Sequence, residues 1–192
     1  MRQVMNQFFV CYDTALGPCG IAWNAGGRII GSQLPEATPG ETRDRMRARF
    51  PAARESEDLP LPVLDAIEAV RRLLAGQASD EKELLAVDLD DSQLPDFNRR
   101  VLAATRRIPV GQTLTYGEMA LRLGEPGAAR AVGQAEGANP FAPIVPCHRV
   151  VAAMQGQGGF SAHGGLATKQ RLLTVEARAA GQAVASQIAL FD

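Results

Sequence analysis

The chain has 192 residues, 46% of them apolar and 21% charged, with a formal net charge of −1. That length can bury the core of one large domain or two small ones, and no apolar run approaches the ~20 residues a membrane helix needs. Three cysteines, an odd count at uninformative spacings, argue against a disulfide framework and point to a reducing cytoplasm.

The charge is unevenly spread. Residues 1–96 carry 10 basic and 16 acidic residues, whereas residues 97–192 carry 10 and 5. The basic half suits a polyanion, although drift between two domains gives the same numbers.

The N-terminus lacks the long apolar stretch of a secretory signal. Phe8 to Tyr12 and Gly20 to Trp23 read as short strands, and Ala25-Gly26-Gly27 turns into a third at Arg28-Ile29-Ile30. Together they predict a β-meander or hairpin pair. Residues 41–50 read as a charged, solvated helix stopped by Pro51. Val63, Leu64, Ile67, Val70, Leu73 and Leu74 recur at three and four, which predicts an amphipathic helix over 63–74 with Gly76 near its C-cap. Leu84 to Leu89 alternates as a strand would, and the polar stretch that follows reads as a domain boundary.

The second half is mostly helical in pattern. Asp96 to Arg107 forms one predicted helix. Thr115 is a suitable N-cap for a second, running to Leu123, with Glu118 completing a capping box and Gly124 stopping it. A third follows the Pro126-Gly127 turn, and its small residues (Ala128, Ala129, Ala131, Gly133, Ala135) allow close approach to a neighbouring helix or a DNA groove. Two short helices joined by a tight turn form a helix-turn-helix pattern. Leu166 to Ala177 is the last predicted helix.

Chemistry concentrates at Pro146-Cys147-His148-Arg149. One of the three cysteines and one of only two histidines are adjacent here. A thiol becomes a nucleophile when a base or positive surroundings favour the thiolate. In a strand, however, neighbours point to opposite faces, so a direct Cys–His contact is not assured. Spacing alone leaves Cys147 balanced between a buried and a reactive thiol. Cys11 and Cys19 have no nearby histidine, so they read as small core residues rather than zinc ligands.

The segment from Ile144 to Val150 resembles the active-site signature of the O6-alkylguanine-DNA alkyltransferases, also called methylated-DNA–protein-cysteine methyltransferases. Residues 108–120 are similar to that family's Ile-Pro-x-Gly and Ser/Thr-Tyr-x-x-x-Ala segment, residues 128–135 to its recognition helix, and residues 164–176 to its final helix. Asn139-Pro140 also stands at the family's distance from the cysteine. The likeness covers roughly residues 95–177; the first 90 share only length and the order of strands then helices.

The resemblance implies an α/β (α+β) fold of two domains. Residues 1–92 would form a small ribonuclease-H-like α/β domain with an antiparallel sheet. Residues 93–180 would form a winged-helix-like helix-turn-helix domain, and 181–192 a tail. It implies a DNA repair protein that flips O6-alkylguanine out of duplex DNA and moves the alkyl group irreversibly onto Cys147, once per molecule. By the same likeness His148 takes the thiol proton, Glu176 orients the imidazolium, and Tyr116 crowds the phosphate and protonates the leaving base. Arg130 enters the base stack, Asn139 holds the turn before the cysteine, and Val150 and the 159–163 loop with Ser161 line the base pocket. Lys169 matches a lysine near the pocket, though alone it reads as a surface residue. No metal or cofactor is expected, and the protein is expected to be a monomer with no membrane partner.

Two departures bear on this. Many relatives place a tyrosine two residues before the Gly164-Gly165 pair, where this chain has Ala162 followed by His163; Phe160 is a candidate substitute wall. Glu136 puts a negative charge where the phosphates are expected to pass. The altered loop also keeps open a damage sensor with weak or no transfer, and Cys-His alone keeps open a hydrolase.

Overall fold

A computed structural model describes residues 6–78, 80–153 and 159–181. The predicted tail beyond residue 181, most of the glycine-containing stretch after Met154, and the extreme N-terminus lie outside them. Among the described residues no helix is long and apolar enough to cross a membrane.

The first half is a four-stranded sheet in the order β3-β2-β1-β4, built from β1 (Gln7–Tyr12), β2 (Cys19–Asn24), β3 (Ile29–Gln33) and β4 (Ala53–Glu55). The predicted meander is present, since β1–β2 and β2–β3 are antiparallel. The fully antiparallel sheet is not: β4 pairs parallel to β1, because the chain returns to that edge through helix α1 (Pro39–Arg49).

Period-two alternation divides the sheet into two faces. Phe9 and Ala22, register partners, face Met46 of α1. Ile21 and Trp23 face the other way, onto Val63, Ile67 and Val70 of α2 (Leu61–Leu74). Helix α1 can lie this close because Gly20 and Gly31 carry no Cβ; one there would collide with Met46 and Phe50 respectively. Gly76, at φ +70°, ends α2 as expected.

The predicted strand at Leu84–Leu89 is not formed. Residues Lys82–Ala86 make a short helix, α3, and only a single parallel bridge joins Leu89 to Ile29. Leu84 packs into the α2 core, while Arg106 binds the carbonyls of Leu84 and Val87. Tertiary burial has overridden a short alternating pattern.

Helices α4 (Asp96–Thr105), α5 (Tyr116–Arg122) and α6 (Ala129–Gly137) pack on one another around Val101, Met119 and Val132. The Thr115–Glu118 capping box is present in full, and Gly124 at φ +74° stops the segment. Helix α7 (Gly165–Ala179) closes the fold. Its Leu172 joins Phe141, Ile144 and Val145 in the same core as α2 and the sheet, so the two halves share one apolar centre.

Candidate active site

The segment before Cys147 is held as a shaped turn. The Asn139 side chain donates to Val145 O at 2.9 Å and accepts from Phe141 N at 2.9 Å. After Pro146 the chain makes one 3-10 turn over Cys147–Arg149 and then forms β6 (Val150–Val151), parallel to β5 (Leu114–Thr115). Cys147 therefore precedes the strand instead of lying in it, and the opposite-face expectation for Cys147 and His148 does not apply. The thiol, 6% exposed, borders a cavity of about 310 Å³ shared with Ser32, Arg49, Asn139, Phe160 and Ser161.

Behind the thiol lies a buried charge cluster. His148 Nε2 is 2.7 Å from Glu176 Oε1. Arg149 grips the same carboxylate bidentately, Nε to Oε2 at 2.8 Å and Nη2 to Oε1 at 2.9 Å, and donates to Ile108 O through Nη1. All three side chains are almost wholly inaccessible to water. Burial pushes the Glu176 carboxyl up, but His148 and Arg149 outweigh it and hold it at about 2. With Glu176 ionised, Nε2 of His148 carries the hydrogen toward it and Nδ1 is left as the acceptor. Among the described residues no direct hydrogen bond joins the imidazole to the Cys147 thiol.

A second cluster flanks the thiol. Lys169, read from sequence as a surface residue, is buried and donates to Val150 O at 2.7 Å. Its Nζ lies 5.8 Å from the Tyr116 ring centre and 6.0 Å from that of Phe160. Half-buried Tyr116 rests against α6 at Gly133. Burial, then the charges of Glu136 and Cys147, raise its pKa, so the phenol keeps its proton.

Glu136 does not face passing phosphates, as its sequence position implied. It is 4% exposed and turned inward, because α6 packs that face on α4. The Thr105 hydroxyl lies 2.5 Å from Glu136 Oε1, and Oε2 has no hydrogen-bond partner among the described residues. Burial raises the Glu136 carboxyl to about 8. Burial also raises the Cys147 thiol to about 12, Glu136 adding to the rise while Asn139 and Lys169 oppose it.

The remaining expected residues sit at the rim. Arg130 is exposed at the second position of α6, away from the cavity lining. Ser161 and Phe160 line the cavity, so Phe160 supplies an aromatic wall. His163 is turned out to Glu36, with Nδ1 to Oε2 at 3.6 Å. Val150 contributes its carbonyl to Lys169, while its side chain is in the α4–α6 core.

Sequence reasoning missed the support from the first half. Arg49, placed on a solvated helix, bridges Ser32 O, Gln33 Oε1 and Pro140 O at 2.9, 2.7 and 2.9 Å. Ser32 binds the same turn through Pro140 O and Ala142 O. No spacing signal marks these contacts. The clamp that Arg149 makes on Glu176 was missed as well; its adjacency to the Cys-His pair was the available signal.

Residues 96–178 match the 6-O-methylguanine DNA methyltransferase DNA-binding domain. A methylated-DNA–protein-cysteine methyltransferase of Mycolicibacterium paratuberculosis is 44% identical over 120 residues, 62% of this chain and 68% of that protein. One from Salmonella typhimurium is 50% identical over 80 residues, 42% of this chain and 46% of its own length. The Mycobacterium tuberculosis O6-methylguanine methyltransferase crystal structure superposes with a TM-score of 0.70 at 33% identity, covering 97% of this chain and 99% of that one. Mycobacterium tuberculosis OGT in complex with DNA gives 0.67 at 31% identity, over 90% and 94%. The likeness thus extends from the cysteine signature through the sheet that props it, and the chain belongs to the methylated-DNA–protein-cysteine methyltransferase family.

Proposed function

We propose that this protein repairs DNA by drawing an O6-alkylguanine out of the duplex and taking the alkyl group irreversibly onto Cys147. The observation that carries this reading is a lone thiol on a base-sized cavity, backed by the buried His148–Glu176–Arg149 cluster.

A thiol raised to about 12 is inert at neutral pH, so proton removal must accompany substrate binding. His148 Nδ1 accepts the thiol proton through a bridging water, and Glu176 stabilises the imidazolium. The thiolate attacks the alkyl carbon, the S–C bond forms, and the C–O bond breaks with its electron pair passing to the guanine. Tyr116 donates a proton to the departing base and is reprotonated from the imidazolium side, which closes the proton count. The product thioether does not hydrolyse, so each molecule acts once.

DNA is the partner that the family's binding domain supports. Arg130 is proposed to fill the gap left by the flipped nucleotide, at an unstacking cost of about a few kcal/mol. Asn139 holds the turn, Val150 and Ser161 offer polar groups to the base, and Lys169 stiffens the pocket floor. The two-domain division near residue 92 and a monomeric state belong to the same reading.

Intact-mass measurement after incubation with duplex DNA carrying O6-methylguanine tests it. The expected result is one added methyl, mapped to Cys147. Tight DNA binding with no mass change would show a damage sensor instead, and thioester turnover with unmodified protein a hydrolase.

A further inference from the structure

The Thr105 hydroxyl has one proton and two claimants. Its Oγ1 lies 2.9 Å from Val101 O and 2.5 Å from Glu136 Oε1. The Val101 carbonyl can only accept. If Thr105 donates there, the short contact to Glu136 needs a hydrogen from the carboxyl. If Thr105 donates to Glu136 instead, a carboxylate is left buried with Oε2 bare, since that atom has no hydrogen-bond partner among the described residues. No cation lies within ion-pairing distance of it among the described residues. Lys169 donates to Val150 O and makes no ion pair with Glu136, although its charge still favours the ionised carboxyl from a distance. Such an unpaired buried charge is strongly disfavoured.

The groups facing Glu136 make this matter. Thr105 comes from α4, Tyr116 from α5, Cys147 from the 3-10 turn and Lys169 from α7. The arginines of α4 and just beyond are directed elsewhere: Arg99 to Asp96, Arg100 to Glu125, and Arg106 to the 84–87 carbonyls. A negative charge on Glu136 would therefore act on Tyr116, Cys147 and Lys169. It would oppose the thiolate that His148 and Glu176 help to create.

We propose that Glu136 is held as the neutral carboxylic acid in the resting protein and is a positioning residue of the site: while protonated it leaves Cys147 free to ionise, and its own ionisation shuts alkyl transfer down. The role rests on the alkyl-transfer reading above; the protonation state does not. Glu136 touches neither thiol nor substrate. It acts by withholding charge, and its hydrogen goes to Thr105, whose hydrogen goes to Val101.

Two measurements on the full chain and its E136Q variant test this. Carbon-13 NMR of labelled glutamate carboxyls should show one resonance titrating near the value of about 8, absent in E136Q. A midpoint in the ordinary carboxylate range overturns the proposal. The second is the rate of methyl transfer from duplex O6-methylguanine. The ratio of E136Q to the parent chain should rise about tenfold between about pH 7 and about pH 9, as one group losing its proton near 8 requires. A flat ratio with transfer intact overturns the positioning role while leaving the repair reading standing. Absence of transfer at every pH defeats the repair reading and with it the positioning role; the NMR titration still decides the protonation state.

Discussion

His148 Nε2 lies 2.7 Å from Glu176 Oε1, a contact made across 28 residues of sequence and sealed from water. It ties the 3-10 turn bearing Cys147 to the last helix. It also fixes which imidazole nitrogen is free to serve the thiol.

Replacing Glu176 with Gln removes the charge that both His148 and Arg149 use. Alkyl transfer is expected to fall by about 10²–10⁴, the usual worth of a positioned acid–base pair. The buried Arg149 loses its counter-charge, and stability should drop by about 3–5 kcal/mol, read by denaturant unfolding near neutral pH.

The pH dependence follows from the same carboxyl. Its folded pKa of about 2 lies below its ordinary value of 4.5. The unfolded chain therefore takes up the proton first as pH falls. The stabilisation is complete above about pH 4.5 and disappears toward pH 2. Thermal melts across that window should show the parent chain losing more of its stability than E176Q does.

Cys147→Ala is expected to abolish transfer while retaining affinity for alkylated duplex, since the cavity walls and the basic half are unchanged. Gel-shift titration beside intact mass would check both. Binding should weaken linearly in log salt as counterions are released.

Arg130→Ala separates extrusion from chemistry. With its side chain exposed on α6 and off the cavity lining, the loss should slow transfer from duplex DNA about tenfold or more. Transfer from free O6-alkylguanine base should be nearly unchanged, because nothing then has to be unstacked. Equal losses on both substrates would place Arg130 in the chemical step instead.

Arg49→Ala should cost about 1–3 kcal/mol for the hydrogen bonds lost at Ser32 O, Gln33 Oε1 and Pro140 O. It should also slow transfer, because the Asn139–Pro140 turn loses its brace. Denaturant unfolding and transfer kinetics together would distinguish a loosened turn from general loss of fold.

What was legible in the sequence was local and periodic. The capping box at Thr115, the period of α2 and the Gly124 stop each depend on residues within one or two turns. The candidate site residues could be named because their motifs resemble a family's at matching spacing. The short stretch at Leu84–Leu89 was misread because six residues carry too little pattern to outweigh Leu84 docking on α2. Glu136 and Lys169 were misread for a related reason. A charged residue on a helix looks solvated until a neighbouring element covers it, and the local patterns that predict α4 and α7 do not say where those helices dock.

The Arg49 brace carries a practical consequence. The segment with every proposed chemical group, residues 96–178, is not a self-sufficient tool. One wall of its pocket and a clamp on its turn come from the acidic sheet region far upstream. Transplanting that segment onto another scaffold would carry across the thiol, the proposed relay and α6, yet leave the Pro140 carbonyl without its guanidinium. A working graft would have to rebuild a strand edge and one well-placed arginine as well.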